Sequence, residues 1–349
     1  MTDSLLTNTV FSLRLRAQQT SKPLATRLRT FLAPYLWAGA GDGEPDLCVD
    51  LHAADEFLPE WRVRCITPMT IRETYAVGFT LKVLRGALDD DTQLAWDAQT
   101  GVGYRYSVSR REVAFYGDEA TAFIHLIELV RYFGLLVEQA KGTAILHSSA
   151  VLDEKTGGVI AIAGIKGAGK TTTMLELVLG QGLRYFSGDK LLLDVVDGRL
   201  RARGWPDYPH IGLGSLRQHP ALIERLGSQA DAALDPARAD SDKILLTPEA
   251  FAGAVGRSPV GSGWLERIVL PEVAVDRALS TRALRGEDID DLLRDPRIFE
   301  WPHTFITSTW HGMPPADRAM ERRVAAPVAA ALATLPWISM PGRAALAHA

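Results

Sequence analysis

The run GIKGAGKTT, residues 164–172, is the feature that most constrains what this chain can fold into. It fits the pattern G-x-x-x-x-G-K-[ST], with Gly164, Gly169, Lys170 and Thr171 at the fixed positions. In this pattern the glycines let consecutive backbone N–H groups face one concavity, and the following helix adds positive potential at its amino terminus. The pattern needs a strand before it and a helix after it. The runs GGVIAIAG and TTTMLELVL suit these two roles.

The motif therefore predicts a phosphate loop that binds a nucleotide. Lys170 is expected to neutralise the β- and γ-phosphates, and the Thr171 hydroxyl is expected to ligate Mg²⁺. The alternative is a glycine-rich turn that binds nothing, which the Lys-Thr pair and the correct flanks disfavour. The residues expected to cradle the phosphates are Gly164, Ile165, Lys166, Gly167, Ala168, Gly169, Lys170, Thr171 and Thr172.

A phosphate loop identifies a nucleotide but not a reaction, so a kinase, a GTPase or ATPase motor and an ATP-driven ligase all stay open. Each needs an acid to hold or polarise Mg²⁺, and two acids follow the loop: Asp189 in FSGDK and Asp194 in LLLDV. Asp194 ends an apolar run, as a Walker B aspartate does, whereas Asp189 lies at a strand end beside glycine. We favour Asp189 and interpret Asp194 as an outward-facing residue on its strand.

Composition excludes several other classes of function. The chain has 349 residues, 47% of them hydrophobic, which is enough for about two domains with sizeable cores. A net charge of -4 with interspersed signs gives no field that would hold nucleic acid or an anionic membrane. Cys48 and Cys65 each lie in an apolar alternating stretch, and we interpret both as buried strand thiols rather than as a disulfide or metal cluster.

The first 22 residues lack the continuous apolar segment of a secretory signal, and Asp3 stands where such a signal would be basic. We interpret them as an amphipathic surface helix. No stretch has the roughly 18 uninterrupted apolar residues that a membrane span needs. The expected location is therefore cytoplasmic, without a membrane partner.

The pattern of elements predicts two domains. Six short β segments between Cys48 and Tyr116 indicate a small antiparallel module, which a helix around residues 123–137 closes before a stop at Gly142. We predict an accessory α+β domain over residues 1–142 and a catalytic α/β domain with a mixed sheet over residues 143–349. In the second domain AILHSSAVL and GVIAIAG are joined by the turn-rich DEKTG, which predicts a hairpin leading into the loop. A final helical stretch is predicted over residues 317–335, split or kinked at Pro327.

The stretch LHSSAVL, followed by a turn and GVIAIAG, resembles the start of the catalytic domain of HPr kinase/phosphorylase and its kinase relatives. That family shares the phosphoenolpyruvate-carboxykinase-like P-loop fold, in which a histidine-bearing strand pairs with the strand entering the loop. The resemblance places His147 at the histidine position, residues 164–171 at the loop and SGDK at the acidic site. It covers residues 144–214, and residues 1–142 have no counterpart in it.

Two departures from the family stand out. The regulatory kinases have two consecutive aspartates where this chain has Gly188 and Asp189, and the retained acid aligns with the second. The family's Glu-x-Arg-Gly-Leu-Gly stretch is reduced to IGLG, residues 211–214, without the Glu or the Arg. Those residues serve protein phosphorylation and its reversal, so the resemblance implies a divergent member whose acceptor is not HPr.

The expectation that follows is an ATP- and Mg²⁺-dependent kinase that phosphorylates a hydroxyl of a small metabolite or peptide. Its expected catalytic residues are Asp189, His147 and Lys170, and its expected metal ligands are Thr171 and Asp189. His147 either helps take the acceptor proton or is a histidine satisfied by backbone carbonyls. A non-catalytic nucleotide-binding regulator and a conventional kinase with a parallel sheet remain alternatives; the chain is compatible with a homo-oligomer. Weaker candidates are Asp207 and His210 for the acceptor rim, where the alternative is a plain surface loop, and Lys243 for contact with a phosphate, where the alternative is a solvated lysine.

Overall fold

The computed structural model describes residues 2–39, 43–74, 79–274, 276–295 and 318–342. In this described part the chain is a mixed α/β protein with two large mixed sheets. It divides into two compact units, and among the described residues the first ends at Lys141 while the second begins at Gly142. Each unit has a sheet of its own.

The first unit is built, in its described part, on nine strands and three α-helices. The strands are β1 (Thr2–Thr7), β2 (Ser12–Ala17), β3 (Trp37–Ala38), β4 (Leu47–His52), β5 (Thr67–Thr74), β6 (Phe79–Ala87), β7 (Thr92–Asp97), β8 (Val102–Ser107) and β9 (Glu112–Tyr116). The helices are α1 (Lys22–Leu32), α2 (Pro59–Arg62) and α3 (Glu119–Ala140). The strands hydrogen-bond in the order β3-β1-β2-β4-β9-β8-β7-β6-β5.

Two predictions for this unit are wrong. The amino-terminal residues form the antiparallel pair β1–β2 rather than a helix. Residues 12–17 alternate between half-buried polar and buried apolar side chains, and this period of two is typical of a strand. The sheet is also mixed rather than antiparallel, because β2–β4 and β4–β9 are parallel pairs.

The interpretation of both cysteines as buried strand thiols needs correction as well. Cys48 lies on β4 but is only half-buried. Cys65 is buried, yet it follows the short helix α2 and precedes β5, where we expected a strand. Pro59 at the start of α2 suits a first helical turn, which overrides the alternating apolar pattern of WRVRC. Both thiols are free.

Helix α3 is the main core element of the first unit. Among the described residues it is the one helix that is long and apolar enough to cross a membrane, and 61% of its most apolar window is buried inside the protein. It also buries charge: Glu128 accepts hydrogen bonds from Arg72 and Arg131, each at 2.8 Å. Burial alone would raise the pKa of Glu128, but the two guanidinium groups hold it below its usual value. Such paired charges are typical of a core helix in a soluble protein.

The second unit contains ten strands and seven α-helices among the described residues. The strands are β10 (Ala144–Asp153), β11 (Gly158–Ala163), β12 (Arg184–Ser187), β13 (Lys190–Val196), β14 (Arg199–Gly204), β15 (His210–Gly212), β16 (Lys243–Leu245), β17 (Ser262–Glu272), β18 (Arg282–Leu284) and β19 (Trp337–Pro341). The helices are α4 (Lys170–Gly180), α5 (Leu213–Leu216), α6 (Pro220–Leu226), α7 (Asp231–Leu234), α8 (Pro248–Val255), α9 (Glu287–Arg294) and α10 (Arg318–Ala333), which contains Pro327.

The large sheet of the second unit runs in the order β11-β10-β13-β14-β17-β19-β18, with β12 beside β10. Because β17 also pairs with β11, the pairings of β11, β10, β13, β14 and β17 form a closed circuit. The β11–β17 and β17–β19 pairs are parallel and the rest are antiparallel. One apolar cluster packs α4 against one face of this sheet, and a second packs α10 against the other.

The hairpin predicted before the glycine-rich run is confirmed. Strands β10 and β11 pair antiparallel, from Ser148 opposite Ala163 to Asp153 opposite Gly158. All six residues of β11 are buried, as a central strand with both faces covered requires. This pairing rules out the conventional all-parallel sheet around the loop.

Candidate functional site

The glycine-rich run forms a strand–loop–helix turn. Strand β11 ends at Ala163 and helix α4 begins at Lys170, so the loop is residues 164–169. Gly169 has φ of 96°, in the left-handed region, and a Cβ there would collide with the Val273 side chain. Only glycine fits this position without strain.

The Lys170 ammonium lies over the loop that precedes it. Its Nζ donates hydrogen bonds to the carbonyl oxygens of Gly164 at 2.6 Å and of Ile165 at 3.3 Å. The first backbone N–H groups of α4 point the same way, since a helix leaves them without intrahelical partners. A lysine and a helix amino terminus around one concave loop make a site that attracts anions.

The two threonines that follow lie at the start of α4. Thr171 is half-buried, and Thr172 shares a hydrogen bond of 2.6 Å with the Ser215 hydroxyl of α5. That bond joins the first turn of α4 to the residue that follows the IGLG stretch, about 40 positions later in the sequence. Thr171 therefore lies next to the loop, while the Thr172 side chain anchors the start of α4 to α5.

Asp189 occupies the short turn between β12 and β13. Its carboxylate is 3.5 Å from Nε2 of His147 and 3.3 Å from Nζ of Lys190. The turn is fixed to β10, because the Ser148 N–H donates to the Asp189 carbonyl at 3.1 Å and the Ser149 hydroxyl donates to the Gly188 carbonyl at 2.7 Å. The side chain keeps 42% of its surface exposed, so it remains open to a ligand.

The environment of Asp189 keeps its carboxylate ionised. Desolvation by burial works to raise its pKa, but the Lys190 ammonium and the His147 and His210 imidazoles hold the pKa well below its usual range. The carboxylate therefore carries a negative charge at neutral pH. An ionised carboxylate with open surface can bind a cation or orient a hydroxyl group.

His147 lies beside the loop, as the predicted strand pairing requires. Because Ser148 pairs with Ala163 on the antiparallel neighbour, the preceding residue, His147, lies level with Gly164 at the start of the loop. Side chains alternate along a strand, so His147 shares a face with Val151, which packs in the same apolar cluster as Met174 of α4. The fold thus brings His147, Asp189 and the loop to one end of the sheet.

Asp194, the other candidate acid, takes part in a structural ion pair. Its carboxylate accepts hydrogen bonds from Arg201 at 2.5 and 2.9 Å and from Arg203 at 3.2 Å. Arg203 is almost fully buried and also donates to the Thr143 hydroxyl at 3.1 Å. Asp194 is therefore paired with two arginines, and the interpretation of it as an outward-facing residue is wrong.

The weaker candidates are placed in three different settings. His210 lies on β15, close enough to Asp189 to lower the pKa of that carboxyl. Lys243 is half-buried on β16, opposite Gly212. Asp207 is buried and accepts a hydrogen bond of 2.8 Å from the Tyr208 N–H, so it is not an exposed rim residue.

Glu272 is a further acid beside the loop that the sequence analysis did not single out. It ends β17, the parallel neighbour of β11, and its side chain is exposed. The next residue, Val273, donates its N–H to the Ala168 carbonyl at 3.0 Å, which fastens the end of β17 to the loop. The signal in the sequence was an acid directly after the apolar run IVLP.

The oxygen donors at this end of the sheet favour a hard cation that takes its remaining ligands from water and substrate. Among the described residues no group of three or more His, Cys, Asp or Glu side chains stands together as a metal site. Mg²⁺ needs no such group, because one or two carboxylates, water and substrate oxygens complete its shell. The Thr171 hydroxyl and the carboxylates of Asp189 and Glu272 are oxygen donors of that kind.

Comparison with known proteins adds no assignment. No protein-family model matches the chain, and no curated protein matches it significantly. The geometry of the site and the resemblance of its motifs therefore carry the functional proposal.

Proposed function

We propose that this protein is an ATP- and Mg²⁺-dependent phosphotransferase that phosphorylates a hydroxyl group of a small metabolite or peptide. The observation that carries the proposal is the placement of Asp189 and His147, 3.5 Å apart, beside the loop that holds Lys170. Phosphoryl transfer asks a protein mainly for positioning and electrostatic stabilisation. A phosphate loop, a metal ligand and a proton acceptor at one place are suited to that chemistry.

Residues 164–172 would cradle the nucleotide phosphates. Lys170 would exchange its contacts with the Gly164 and Ile165 carbonyls for contacts with the β- and γ-phosphate oxygens. The helix amino terminus would supply further positive potential. The loop carbonyls hold the ammonium in place until a nucleotide arrives.

The residues present fit Mg²⁺. Thr171 and Asp189 would hold it, and Glu272 would supply the second acid that Gly188 cannot. When bound, the ion would neutralise the charge that develops on the phosphate oxygens during transfer. Glu272 stands at the carboxyl end of the parallel neighbour strand, which is where P-loop proteins carry their second acid.

The acceptor hydroxyl would approach between Asp189 and His147. His147 in its neutral form would take the proton from the hydroxyl as it attacks, with Asp189 orienting the imidazole. His210 and Lys243 lie on the two-stranded sheet nearby and would form part of the acceptor rim. Asp207 is left out of this assignment because it is buried.

These roles agree with the resemblance to HPr kinase/phosphorylase and with a phosphoenolpyruvate-carboxykinase-like fold for residues 143–349. The antiparallel β10–β11 pair, with His147 on β10, supports that likeness. The missing Glu and Arg around residues 211–214 argue that the acceptor is not HPr.

Residues 1–142 would act as an accessory domain. We place the enzyme in the cytoplasm, without nucleic-acid or membrane partners, and the chain is compatible with a homo-oligomer.

One observation favours a second function, that of a non-catalytic nucleotide-binding regulator. Where the family carries its first aspartate, this chain has Gly188, and a Cβ there would lie 2.9 Å from the Tyr185 hydroxyl. The space for an additional acid is thus taken by a tyrosine. In the regulator, nucleotide binding alone would be the signal.

Labelled transfer separates the two functions. Pure protein is incubated with γ-labelled ATP, Mg²⁺ and a lysate of its host, and label is followed into small molecules and peptides. The kinase transfers label to one acceptor. A protein that binds ATP in calorimetry but transfers no label under these conditions is the regulator.

A further inference from the structure

A polar cavity of about 270 Å³ lies in the first unit, on the face of its sheet that carries Arg105 and Ala114. Its lining comes from β4, β7, β8 and β9, from the turn before β7 and from the turn between β8 and β9. Ligand pockets commonly measure about 300–1,000 Å³, so this volume suits a molecule much smaller than a nucleotide. The proposed kinase function makes no use of it.

Cross-strand register explains why a cavity forms here. Asp50 on β4 pairs with Ala114 on β9, and Ala114 pairs with Arg105 on β8. Neighbouring strands lie about 4.8 Å apart, so Asp50 and Arg105 stand about 10 Å apart across the small Ala114. The short side chain of Ala114 leaves a slot between an acid and a base that are too distant to pair directly.

Arg105 lies against an aromatic ring and is otherwise exposed to solvent. Its guanidinium stacks 5.1 Å from the Trp61 ring centroid. Among the described residues no carboxylate forms an ion pair with it. A stacked guanidinium is pre-organised for a carboxylate, which it binds with two parallel N–H···O bonds.

The acidic side of the slot is only partly satisfied. Asp50 is bound by Arg16 at 2.5 and 3.0 Å. Glu112, diagonal to Arg105, has looser ion pairs, 3.9 Å to Arg16 and 3.4 Å to Arg110. Both distances exceed the roughly 2.7–2.9 Å of a charge-assisted hydrogen bond. Glu112 therefore retains acceptor capacity for a cationic donor in the slot.

We propose that this slot binds a small zwitterion that carries a carboxylate and an ammonium group, the chemistry of a free α-amino acid. The ligand carboxylate binds Arg105 and its ammonium group binds Glu112 and Asp50, with Ala114 as the floor. The apolar part of the ligand contacts Leu88, which lines the same cavity. The acidic Asp50 and Glu112 at one end of the slot and Arg105 at the other favour a dipolar ligand over a simple anion or cation.

Calorimetry on the full chain tests this proposal, with the twenty standard α-amino acids as ligands and propionate and propylamine as single-charge controls. We expect at least one amino acid to bind at concentrations below about 10 mM, and at least tenfold more tightly than either control. The site is overturned if no amino acid binds in this range. It is equally overturned if propionate binds as tightly as the amino acids, because the slot is then an anion site.

Two variants locate the binding. Arg105→Gln removes the guanidinium that would bind the ligand carboxylate, so it should weaken binding by about tenfold to a hundredfold. Ala114→Leu should fill the slot and abolish binding. The matched control is Arg85→Gln. Arg85 is also an exposed arginine of this sheet, and its side chain points to the opposite face of β6 from that of Leu84. Thermal melting confirms that each variant folds. Unchanged affinity in both slot variants contradicts the proposal.

Discussion

Nε2 of His147 lies 3.5 Å from Oδ1 of Asp189, although the two residues are 42 positions apart in the sequence. The contact arises because β13 pairs antiparallel with β10, with Lys190 opposite His147, so that the turn holding Asp189 reaches the histidine. The same strand β10 pairs with β11, which leads into the glycine-rich loop. One strand thus aligns the acid, the imidazole and the loop.

Lys170→Ala should weaken the binding of ATP·Mg²⁺. The ammonium is positioned over the loop at 2.6 Å from the Gly164 carbonyl, and its loss removes charge-assisted contacts worth about 1.5–3 kcal/mol each. Calorimetry measures the change. Lys155→Ala, in the exposed turn between β10 and β11, is the matched control and should bind as wild type does. Absence of binding by the wild type would refute the phosphate loop.

Gly169→Ala should destabilise the loop and reduce nucleotide affinity. Its φ of 96° is costly for alanine, and the added Cβ would meet Val273. We expect a loss of about 1–3 kcal/mol in unfolding free energy, measured by chemical denaturation. The control is Gly253→Ala in α8, where nothing lies within 4 Å; alanine there should stabilise by about 0.5–1 kcal/mol. Similar effects at both positions would show that the loop conformation is not required.

Glu272→Gln should raise the Mg²⁺ concentration needed for half-maximal ATP turnover by about tenfold, because one charge-assisted contact to the metal shell is lost. Its side chain is exposed, so the melting temperature should hardly move. Glu224→Gln, an exposed acid on α6, provides the control. A metal dependence that is identical in wild type and Glu272→Gln would remove Glu272 from the site.

Acidification should destabilise the first unit through His125. Its imidazole is fully buried, with Nε2 3.0 Å from Asp97 and Nδ1 in contact with the Tyr104 hydroxyl. Burial lowers the pKa of His125 below 6.5. Below that pH the unfolded chain binds a proton that the folded chain does not, so stability is lost as pH falls, by up to about 1.4 kcal/mol per pH unit.

Denaturation of the full chain between pH 7 and 5.5 measures this slope. In His125→Gln the slope should be shallower than in wild type, whatever the variant's absolute stability. Asp97 adds to acid sensitivity only at lower pH: its hydrogen bonds from Thr100 and Gln99 outweigh burial and lower its pKa. Equal slopes in the two proteins would exclude His125 as the cause.

The sequence predicts the local part of the candidate site well. The glycine pattern and its apolar flanks are local signals, and the hairpin of β10 and β11 follows from the short connector DEKTG. The strand–loop–helix turn and the pairing of the His147 strand are as expected. The role of Asp194 could not be predicted, because its partners Arg201 and Arg203 are reached only once β13 and β14 pair.

The predictions that fail concern segments whose structure or position depends on tertiary contacts. SLRLRA alternates with a period of two, but its strand is stabilised by pairing with β1 and β4. WRVRC has the same alternation, yet Pro59 starts a helical turn there. Glu272 was missed because its nearness to the loop depends on β17, about a hundred residues later in the chain, pairing parallel with β11.

ATP turnover by Asp189→Asn and Asp194→Asn tests the central claim most directly, with ATP hydrolysis replacing transfer until the acceptor is identified. Asp189→Asn keeps the shape but removes the charge at the site, so turnover should fall by about 10²–10⁴-fold while ATP affinity changes far less. Asp194→Asn loosens the Arg203 pair and should lower unfolding free energy by about 1–3 kcal/mol, with turnover per folded molecule near wild type. Equal losses of turnover in both variants, or a wild type that binds ATP and never consumes it, would contradict the account.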